Sequence, residues 1–346
     1  MGDSKPPPQA PAADRHGLQA PPASAFVDVS IIIVAARRTA YLDEALAAIT
    51  RLKRPPRETI VVLDEGPPGD LGSTQCIVSG PTGPAQKRDM GAAAAGGAWL
   101  AFLDDDAYPA PGWLEASAPH FENPAVSAVG GPGVTPPNDE FRAKVSGWTY
   151  ASWIVSGPTR FRYVPGRRRA VDDFPSMNLM VRRSVFEAVG GFDSAFYPGE
   201  DTKLCLEIVC RGGGIVYEPG ALVYHHRRPV MRGHLRQIAH YGRHRGYFAR
   251  VFPETSRRLQ YFIPSLWLLW LVIAALASIW VEPIRWLLLG SLAIYTAAVV
   301  GSAIHATRDS GSAGIGAAVA PAIVASHLCY GWHFLGGLVR PRPPSS

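Results

Sequence analysis

Cysteine is scarce in this 346-residue chain, and the few cysteines form no pattern. Their spacings match neither a zinc site nor the disulfide framework of a small secreted protein. We therefore expect them to be small core residues of a protein in a reducing compartment. The four are Cys76, Cys205, Cys210 and Cys329.

The N-terminal segment lacks the apolar stretch that a secretory signal peptide requires. Residues 1–25 are instead rich in proline and alanine, a composition typical of a disordered tail. We expect tails at residues 1–25 and 341–346, with any catalytic part staying on the cytoplasmic side.

Charge is missing from two long runs in the last third of the chain, residues 262–281 and 286–304. Each is about long enough to cross a hydrocarbon layer of roughly 30 Å. A buried helical hairpin of a soluble protein is the alternative, which two adjacent uncharged runs make less favoured. Residues 313–339 also lack full charges but are richer in glycine, so they span, lie in the interface or re-enter. We predict two to three transmembrane helices within residues 259–340.

The net charge of +6 is concentrated just before these runs. Residues 225–258 hold nine arginines and one acid, and such flanks favour the cytoplasmic side and attract anionic lipid. The spacing of Leu235, Ile238 and Tyr241 predicts an amphipathic helix on the membrane surface within residues 229–258. A nucleic-acid-binding face is the competing interpretation. The adjoining apolar runs argue against it, so we expect a membrane and no nucleic acid as partner, at the cytoplasmic face of the inner membrane.

The segment from residue 26 to 228 alternates strand-like and helix-like patterns. VDVSIIIVAA, ETIVVLDEG and WLAFLDDD read as strands, while TAYLDEALAAITRL and residues 84–98 read as helices. This alternation predicts an α/β domain with a largely parallel sheet. Ligands of such sheets bind beyond the carboxyl ends of the strands, where two of these three strands carry acids.

Two groups of acids are candidates for chemistry. Asp104, Asp105 and Asp106 close an apolar strand, where adjacent carboxylates are costly unless a cation binds them; a solvated turn is the alternative. Carboxylates with open positions suit Mg²⁺ or Mn²⁺, which can bridge a diphosphate and stabilise it as a leaving group. Glu200 and Asp201 open a predicted helix and offer a base for an acceptor hydroxyl. Capping of that helix is their alternative role.

Four segments in order resemble the landmarks of family-2 glycosyltransferases with the GT-A fold, over roughly residues 28–245. They are SIIIVAARRTAYLDEALAAI, VVLDEG, GPAQKRDMGAAAAGGAWLAFLDDDAYPAPGWL and NLMVRRSVFEAVGGFDSAFYPGEDTKLCLEIVCRGG. The resemblance implies an NDP-sugar donor, UDP-linked in the first instance, and a divalent cation, Mg²⁺ or Mn²⁺. Three places depart from the usual pattern: the end of the first strand at Ala35–Arg38, the acids after the second strand at Asp64–Glu65, and Arg88–Asp89 within the donor segment.

Position within these motifs implies a role for each candidate residue. Processive relatives carry Gln-x-x-Arg-Trp where this chain has only Gln237 to Tyr241, which favours a single addition. The resemblance implies nucleotide-sugar contacts by Asp64, Lys87, Arg88 and Asp105; a metal site of Asp104 and Asp106 with His225 or His226; Asp201 as catalytic base, with Glu200 in reserve; and Arg236, Gln237 and Tyr241 as contacts for an acceptor or its lipid phosphate.

The resulting expectation is an inverting glycosyltransferase. It would move a sugar onto a membrane-associated or glycan acceptor, in the synthesis of cell-surface polysaccharide or glycolipid. Two alternatives stay open: a metal-dependent membrane-bound phosphoesterase built from the same acids and histidines, and a catalytically silent scaffold that binds nucleotide sugars.

Overall fold

The structure is a computed structural model that describes residues 28–67 and 69–340. The tails predicted at residues 1–25 and 341–346 lie outside these residues. A mixed α/β domain comes first and long helices follow. The strands are β1 (Val29–Val34), β2 (Glu58–Leu63), β3 (Gln75–Val78), β4 (Trp99–Asp104), β5 (Ala107–Pro109), β6 (Val126–Gly130), β7 (Gly133–Val134), β8 (Arg169–Val171), β9 (Asn178–Arg182), β10 (Gly214–Tyr217) and β11 (Val223–His225).

Short 3₁₀ helices at Gly157–Arg162 and Ser194–Phe196 accompany the α-helices. The α-helices are α1 (Ala40–Ile49), α2 (Pro84–Ala94), α3 (Trp113–Phe121), α4 (Phe141–Ala151), α5 (Trp153–Ser156), α6 (Arg183–Val189), α7 (Glu200–Cys210), α8 (Arg232–Val251), α9 (Pro253–Ser256), α10 (Leu259–Ala277), α11 (Glu282–Ser310) and α12 (Ala313–Leu338).

The main sheet has eight strands in the order β3-β2-β1-β4-β9-β6-β10-β8. The half from β3 to β4 is parallel, as the alternation predicts. Strand β9, in contrast, inserts antiparallel between β4 and β6. A continuous apolar run predicts a strand that is buried on both faces, but it does not predict the direction of that strand. The sequence therefore does not reveal that β9 is antiparallel. The α/β fold class is confirmed.

Helices cover both faces of this sheet. Ile31 and Ile33 of β1 pack into one cluster with Leu42 of α1, while Ile32 packs into the other with Leu204 of α7. Burial on both faces accounts for strands that are continuous apolar runs.

A small second sheet, in the order β5-β11-β7, carries the C-terminal end of the domain back to the triple-aspartate turn. His225 of β11 pairs with Ala107 of β5, the residue after Asp106. The segment before β11 also lies close to the segment between β6 and β7. This contact requires glycine at position 131, because a Cβ there would lie 1.7 Å from the carbonyl oxygen of Ala221. The pairing register therefore places a histidine beside the aspartates.

Three C-terminal helices, α10, α11 and α12, are each long and apolar enough to cross a membrane. Their bounds contain or overlap the three predicted runs. Their burial differs: within the most apolar window, 11% of α10 and 6% of α11 is buried inside the protein, against 39% of α12.

The helix predicted within residues 229–258 forms as α8, and it runs beside α12 in the same direction. The contact is backbone to backbone, since a Cβ on Gly246 would lie 2.1 Å from the carbonyl oxygen of Phe334. Ile238, which the spacing places on the membrane face, is buried in the protein, whereas Tyr241 is exposed. The position of α8 at a membrane surface stays a prediction, but α12 covers much of the side that was expected to face lipid.

Candidate active site

Asp104, Asp106 and His225 form a cluster suited to a divalent cation. One ligand atom from each lies within 4.8 Å of the others, and His225 Nε2 lies 3.1 Å from Asp106 Oδ1. Burial acts to raise the pKa of Asp106, but His225 and the arginines that follow it outweigh burial and lower this pKa. Two carboxylates and an imidazole are a donor set that fits Mn²⁺ or Mg²⁺.

His226 points away from this cluster. Its Nε2 lies 2.8 Å from Glu44 Oε2, its Nδ1 contacts Asp139, and its ring stacks on Tyr41 at 4.4 Å between centroids. Neighbouring residues of an extended chain face opposite sides. The structure thus separates the two histidines that the sequence left as equals, and brings His225 to the aspartates.

Arg88 joins the triple-aspartate turn to the Glu200–Asp201 pair. Its guanidinium donates to Glu200 Oε1 at 2.7 Å and to Asp104 Oδ1 at 2.9 Å, and the side chain is buried. Burial, then the charge of Asp201, raises the pKa of Glu200 to about 7, although Arg88 acts in the opposite direction. Acids about a hundred residues apart in sequence therefore share one cleft.

Asp201 stands at the first turn of α7 with a carboxylate that carries no partner side chain among the residues the structure describes. Its oxygens accept from the backbone N–H groups of Ser176, at 3.3 Å, and Thr202, at 2.7 Å. Burial and the nearby charge of Asp173 raise its pKa. Unlike Glu200, which Arg88 holds, this carboxylate is available to take a proton.

Asp173, which the sequence analysis missed, is buried near Asp201. It pairs with Arg245 of α8 and with Arg162 at 3.4 Å, and it accepts from Thr202 Oγ1 at 3.0 Å. Despite its burial, these two arginines hold the pKa of Asp173 well below its usual range. Its partners are distant in sequence, so only the Asp172–Asp173 doublet could have drawn attention to it.

A second group of charges lies at the ends of β2 and β4. Lys87 is buried, pairs with Asp64 and donates to the carbonyl oxygen of Ala35 at 2.8 Å. Burial, then Asp106 and Asp104, raises the pKa of Asp105 to about 7, while Lys87 opposes the rise. Three residues that the resemblance implies for nucleotide binding therefore lie together.

Two arginines that the motifs do not include lie beside the aspartate–histidine cluster. Arg227 Nη1 lies 2.9 Å from His225 Nδ1, and its guanidinium lies 5.2 Å from the ring centroid of Tyr163. Arg228 lines one cavity together with Asp104, Asp106 and His225. Their only sequence signal is that they directly follow the histidine pair.

A cavity of about 960 Å³ is lined by the aspartate–histidine cluster, Arg88 and the Glu200–Asp201 pair, and it continues to the C-terminal helices. Gln237 and Tyr241 lie in its wall, where Gln237 accepts from Tyr150 at 3.3 Å and donates to the Tyr241 hydroxyl at 3.1 Å. Arg236, the third acceptor candidate, is exposed. The cavity thus contains two of the three.

The chain is similar in sequence to known glycosyltransferases. Residues 30–190 match the model of the family Glycosyl transferase family 2. Pre-mycofactocin glycosyltransferases from two strains of Mycobacterium tuberculosis are 29% identical over 225 residues, which is 62% of this chain and 46% of theirs. The chain thus spans about half the length of the curated relatives it matches.

A likeness in structure covers more of the chain. The mannosyltransferase PcManGT from Pyrobaculum calidifontis, solved in complex with GDP-Man and Mn²⁺, has a TM-score of 0.58 and 17% identity, over 88% of this chain and 89% of that one. At this identity the likeness speaks for the fold. Residues 30–190 therefore carry a family-2 glycosyltransferase domain, the fold is of the GT-A type, and three apolar helices that are able to anchor the chain in a membrane follow.

Proposed function

We propose that this protein transfers a sugar from an NDP-sugar to a membrane-associated or glycan acceptor, with inversion at the anomeric carbon. The observation that carries the proposal is the Arg88 bridge, which sets the Asp104–Asp106–His225 cluster and the Glu200–Asp201 pair in one cavity. Its family adds support. A UDP-sugar is the first donor to test, and GDP-Man, the ligand named for the mannosyltransferase of similar fold, is the second.

The donor would lie between two groups of residues. Asp64, Lys87 and Asp105 would contact the nucleoside, and Arg227 and Arg228 would offset the charge of its diphosphate. Asp104, Asp106 and His225 would hold Mg²⁺ or Mn²⁺, which supplies positive charge for the departing diphosphate.

Asp201 would act as the base. Its carboxylate accepts only backbone N–H groups within the described ranges, and its raised pKa favours taking up a proton. Glu200, paired with Arg88, would keep that arginine in place between the two acid groups. The apolar helices that adjoin the cavity favour an acceptor located at the membrane. The reaction would take place on the cytoplasmic side, in the synthesis of a cell-surface polysaccharide or glycolipid.

The test is a panel of NDP-sugars offered to the purified full chain in detergent, with release of NDP as the measurement. We expect release that depends on Mn²⁺ or Mg²⁺ and stops with EDTA. Asp201→Asn should lower transfer about a thousandfold or more, since a general base and its positioning contribute at this scale, while the Kd for NDP changes little. Glu187→Gln, an acid exposed on α6, is the matched control and should keep full activity.

The two alternatives give different results in the same assay. A phosphoesterase would release inorganic phosphate and would tolerate Asp64→Asn and Lys87→Gln. A scaffold would bind nucleotide sugars without releasing NDP. Unchanged transfer by Asp201→Asn would overturn the assignment of the base.

A further inference from the structure

Asp173 is a buried carboxylate at which three elements of the fold meet. Its side chain, 5% exposed, pairs with Arg245 of α8 and with Arg162 of the first 3₁₀ helix. It also accepts a hydrogen bond from the hydroxyl of Thr202, on α7, at 3.0 Å. Burying a charge is costly unless it is paired and hydrogen-bonded, and here the partners hold the carboxylate in one orientation.

Both backbone groups that donate to Asp201 belong to segments that Asp173 holds. Thr202 donates its N–H to Asp201 Oδ1 at 2.7 Å, while its hydroxyl donates to Asp173 Oδ1. Ser176, whose N–H donates to Asp201 Oδ2 at 3.3 Å, follows Asp173 by three residues. The orientation of the Asp201 carboxylate therefore depends on the position of Asp173.

Helix α8 contacts the start of α7 at a second point. The ring of Phe248 lies against Gly199, the N-cap residue of α7, since a Cβ added to Gly199 would lie 3.0 Å from Phe248 Cζ. The same ring meets Phe196 edge-on, at 5.9 Å between centroids. Together with Arg245, three residues earlier on α8, this contact places α8 against the turn that carries Asp201.

We propose that Asp173 is a positioning residue for the catalytic base and that Arg245 of α8 completes its site, an inference that rests on the role proposed above for Asp201. Asp173 fixes the two N–H donors that orient the Asp201 carboxylate in the cavity. Neither Asp173 nor Arg245 forms or breaks a bond in the reaction. The loss of either therefore lowers kcat and leaves the KM for the donor unchanged.

The two residues act on the charge of Asp201 in opposite directions. Burial raises the pKa of Asp201 most and Asp173 raises it further, whereas Arg245 lowers it. Further titratable or charged groups near Asp201 are Glu200 of α7, Arg88 of α2 and Tyr241 of α8. A base acts only when it is deprotonated, so the acid limb of the pH profile of kcat/KM follows this pKa.

The first test measures release of NDP by the full chain in detergent, with Mn²⁺ and the NDP-sugar that the panel above identifies. Asp173→Asn, which keeps the shape and removes the charge, should lower kcat about a hundredfold, the scale of a misplaced catalytic group. The KM for the NDP-sugar and the Kd for NDP should stay as in the parent chain. Asp172→Asn is the matched control: this neighbouring acid is 51% exposed, pairs with Arg258, and should be replaceable without loss.

A milder pair of variants removes one hydrogen bond. Thr202→Val keeps the branched shape but cannot donate to Asp173, and kcat should fall about tenfold. Thr202→Ser restores the hydroxyl and should recover most of the activity. Binding of NDP reports whether each variant is folded, and this pair decides the matter if Asp173→Asn does not fold.

The pH profile separates positioning from a general loss of structure. Asp173→Asn should move the acid limb of kcat/KM about one unit to lower pH, and Arg245→Gln should move it about one unit to higher pH. The double variant should return the limb towards the parent, with a kcat no lower than that of the worse single variant, because residues that act as a unit are not additive. Arg250→Gln, at an exposed position of the same helix, is the control and should leave limb and kcat unchanged.

Two results would contradict the inference in an active parent chain. One is full kcat in folded Asp173→Asn or Thr202→Val. The other is an acid limb that moves in the same direction in Asp173→Asn and Arg245→Gln, which would mean a structural role only. A parent chain that releases no NDP from any sugar would instead refute the proposed transferase, and the positioning role with it.

Discussion

The helices α10, α11 and α12 look alike in sequence and differ in what surrounds them. Each is long and apolar enough to cross a membrane, yet the most apolar stretch of α12 is several times more buried than those of the other two. Ten residues of α12 are buried, against two each in α10 and α11. Apolar length shows that a helix can leave water. It does not show whether lipid or protein covers it.

The neighbours of α12 decide where it can lie. Its C-terminal half runs beside α8, which carries Arg243, Arg245 and Arg250. An arginine at the centre of a bilayer costs about 2.5–3.5 kcal/mol on insertion scales. Crossing the membrane beside α8 would bring several of these charges into hydrocarbon. We therefore expect the hairpin of α10 and α11 to enter the membrane and α12 to lie at its surface against the catalytic domain.

The largest expected effect is on topology, which is all or none. Two crossings return the chain to the side of the catalytic domain, whereas three leave its C-terminus on the opposite side. We expect a reporter fused after residue 346 to lie with the catalytic domain, measured by fluorescence of a cytoplasm-active protein and by activity of a periplasm-active phosphatase. The control is the same reporter fused after residue 281, which should lie opposite. Opposite sides for the catalytic domain and residue 346 would make α12 a third span.

The second effect is on the pH dependence of stability, which we expect to involve the packing of α12 and not that of α11. His234 of α8 is fully buried and bridges Ser146 of α4 to Ser326 of α12, at 2.8 Å each. Burial, then Arg227, lowers its pKa from 6.5 to about 4. Above pH 6.5 the imidazole is neutral whether folded or unfolded, so its full contribution is present. Below pH 6.5, only the unfolded chain takes the proton readily. The free energy of unfolding therefore falls by about 3 kcal/mol as the pH falls towards 4.

Thermal unfolding in detergent between pH 7.5 and 5 measures this loss. His234→Gln should reduce the loss of stability between pH 7.5 and 5, while the other buried groups that titrate in this range keep their share. The matched control is His305→Gln, since His305 of α11 is exposed, and it should leave the slope as it is. An unchanged slope in His234→Gln would show that the bridge does not carry the effect.

The same contrast explains how far the sequence could be read. The strands β1, β2 and β4 and the helices α1 and α2 follow from one-dimensional periodicity, and so does the existence of all three apolar helices. The residues with surprising roles depend on pairing in space instead. Which of His225 and His226 faces the aspartates is set by the register of β11 on β5, and Asp173 gains its importance from an arginine 72 residues away.

The smallest effect is on stability and compares two glycines: Gly246 of α8, which packs against α12, and Gly290 of α11. Gly246→Ala would place a methyl group 2.1 Å from a backbone oxygen of α12, so the helices must separate at a cost of about 1–3 kcal/mol. Gly290 of α11 has nothing within 4 Å of an added Cβ. Gly290→Ala should instead stabilise by about 0.5–1 kcal/mol, because alanine favours helix over glycine. Unfolding of the two variants in matched detergent gives opposite signs if protein covers α12 and leaves α11 bare, and a loss of stability in both would show that α11 also has a close neighbour.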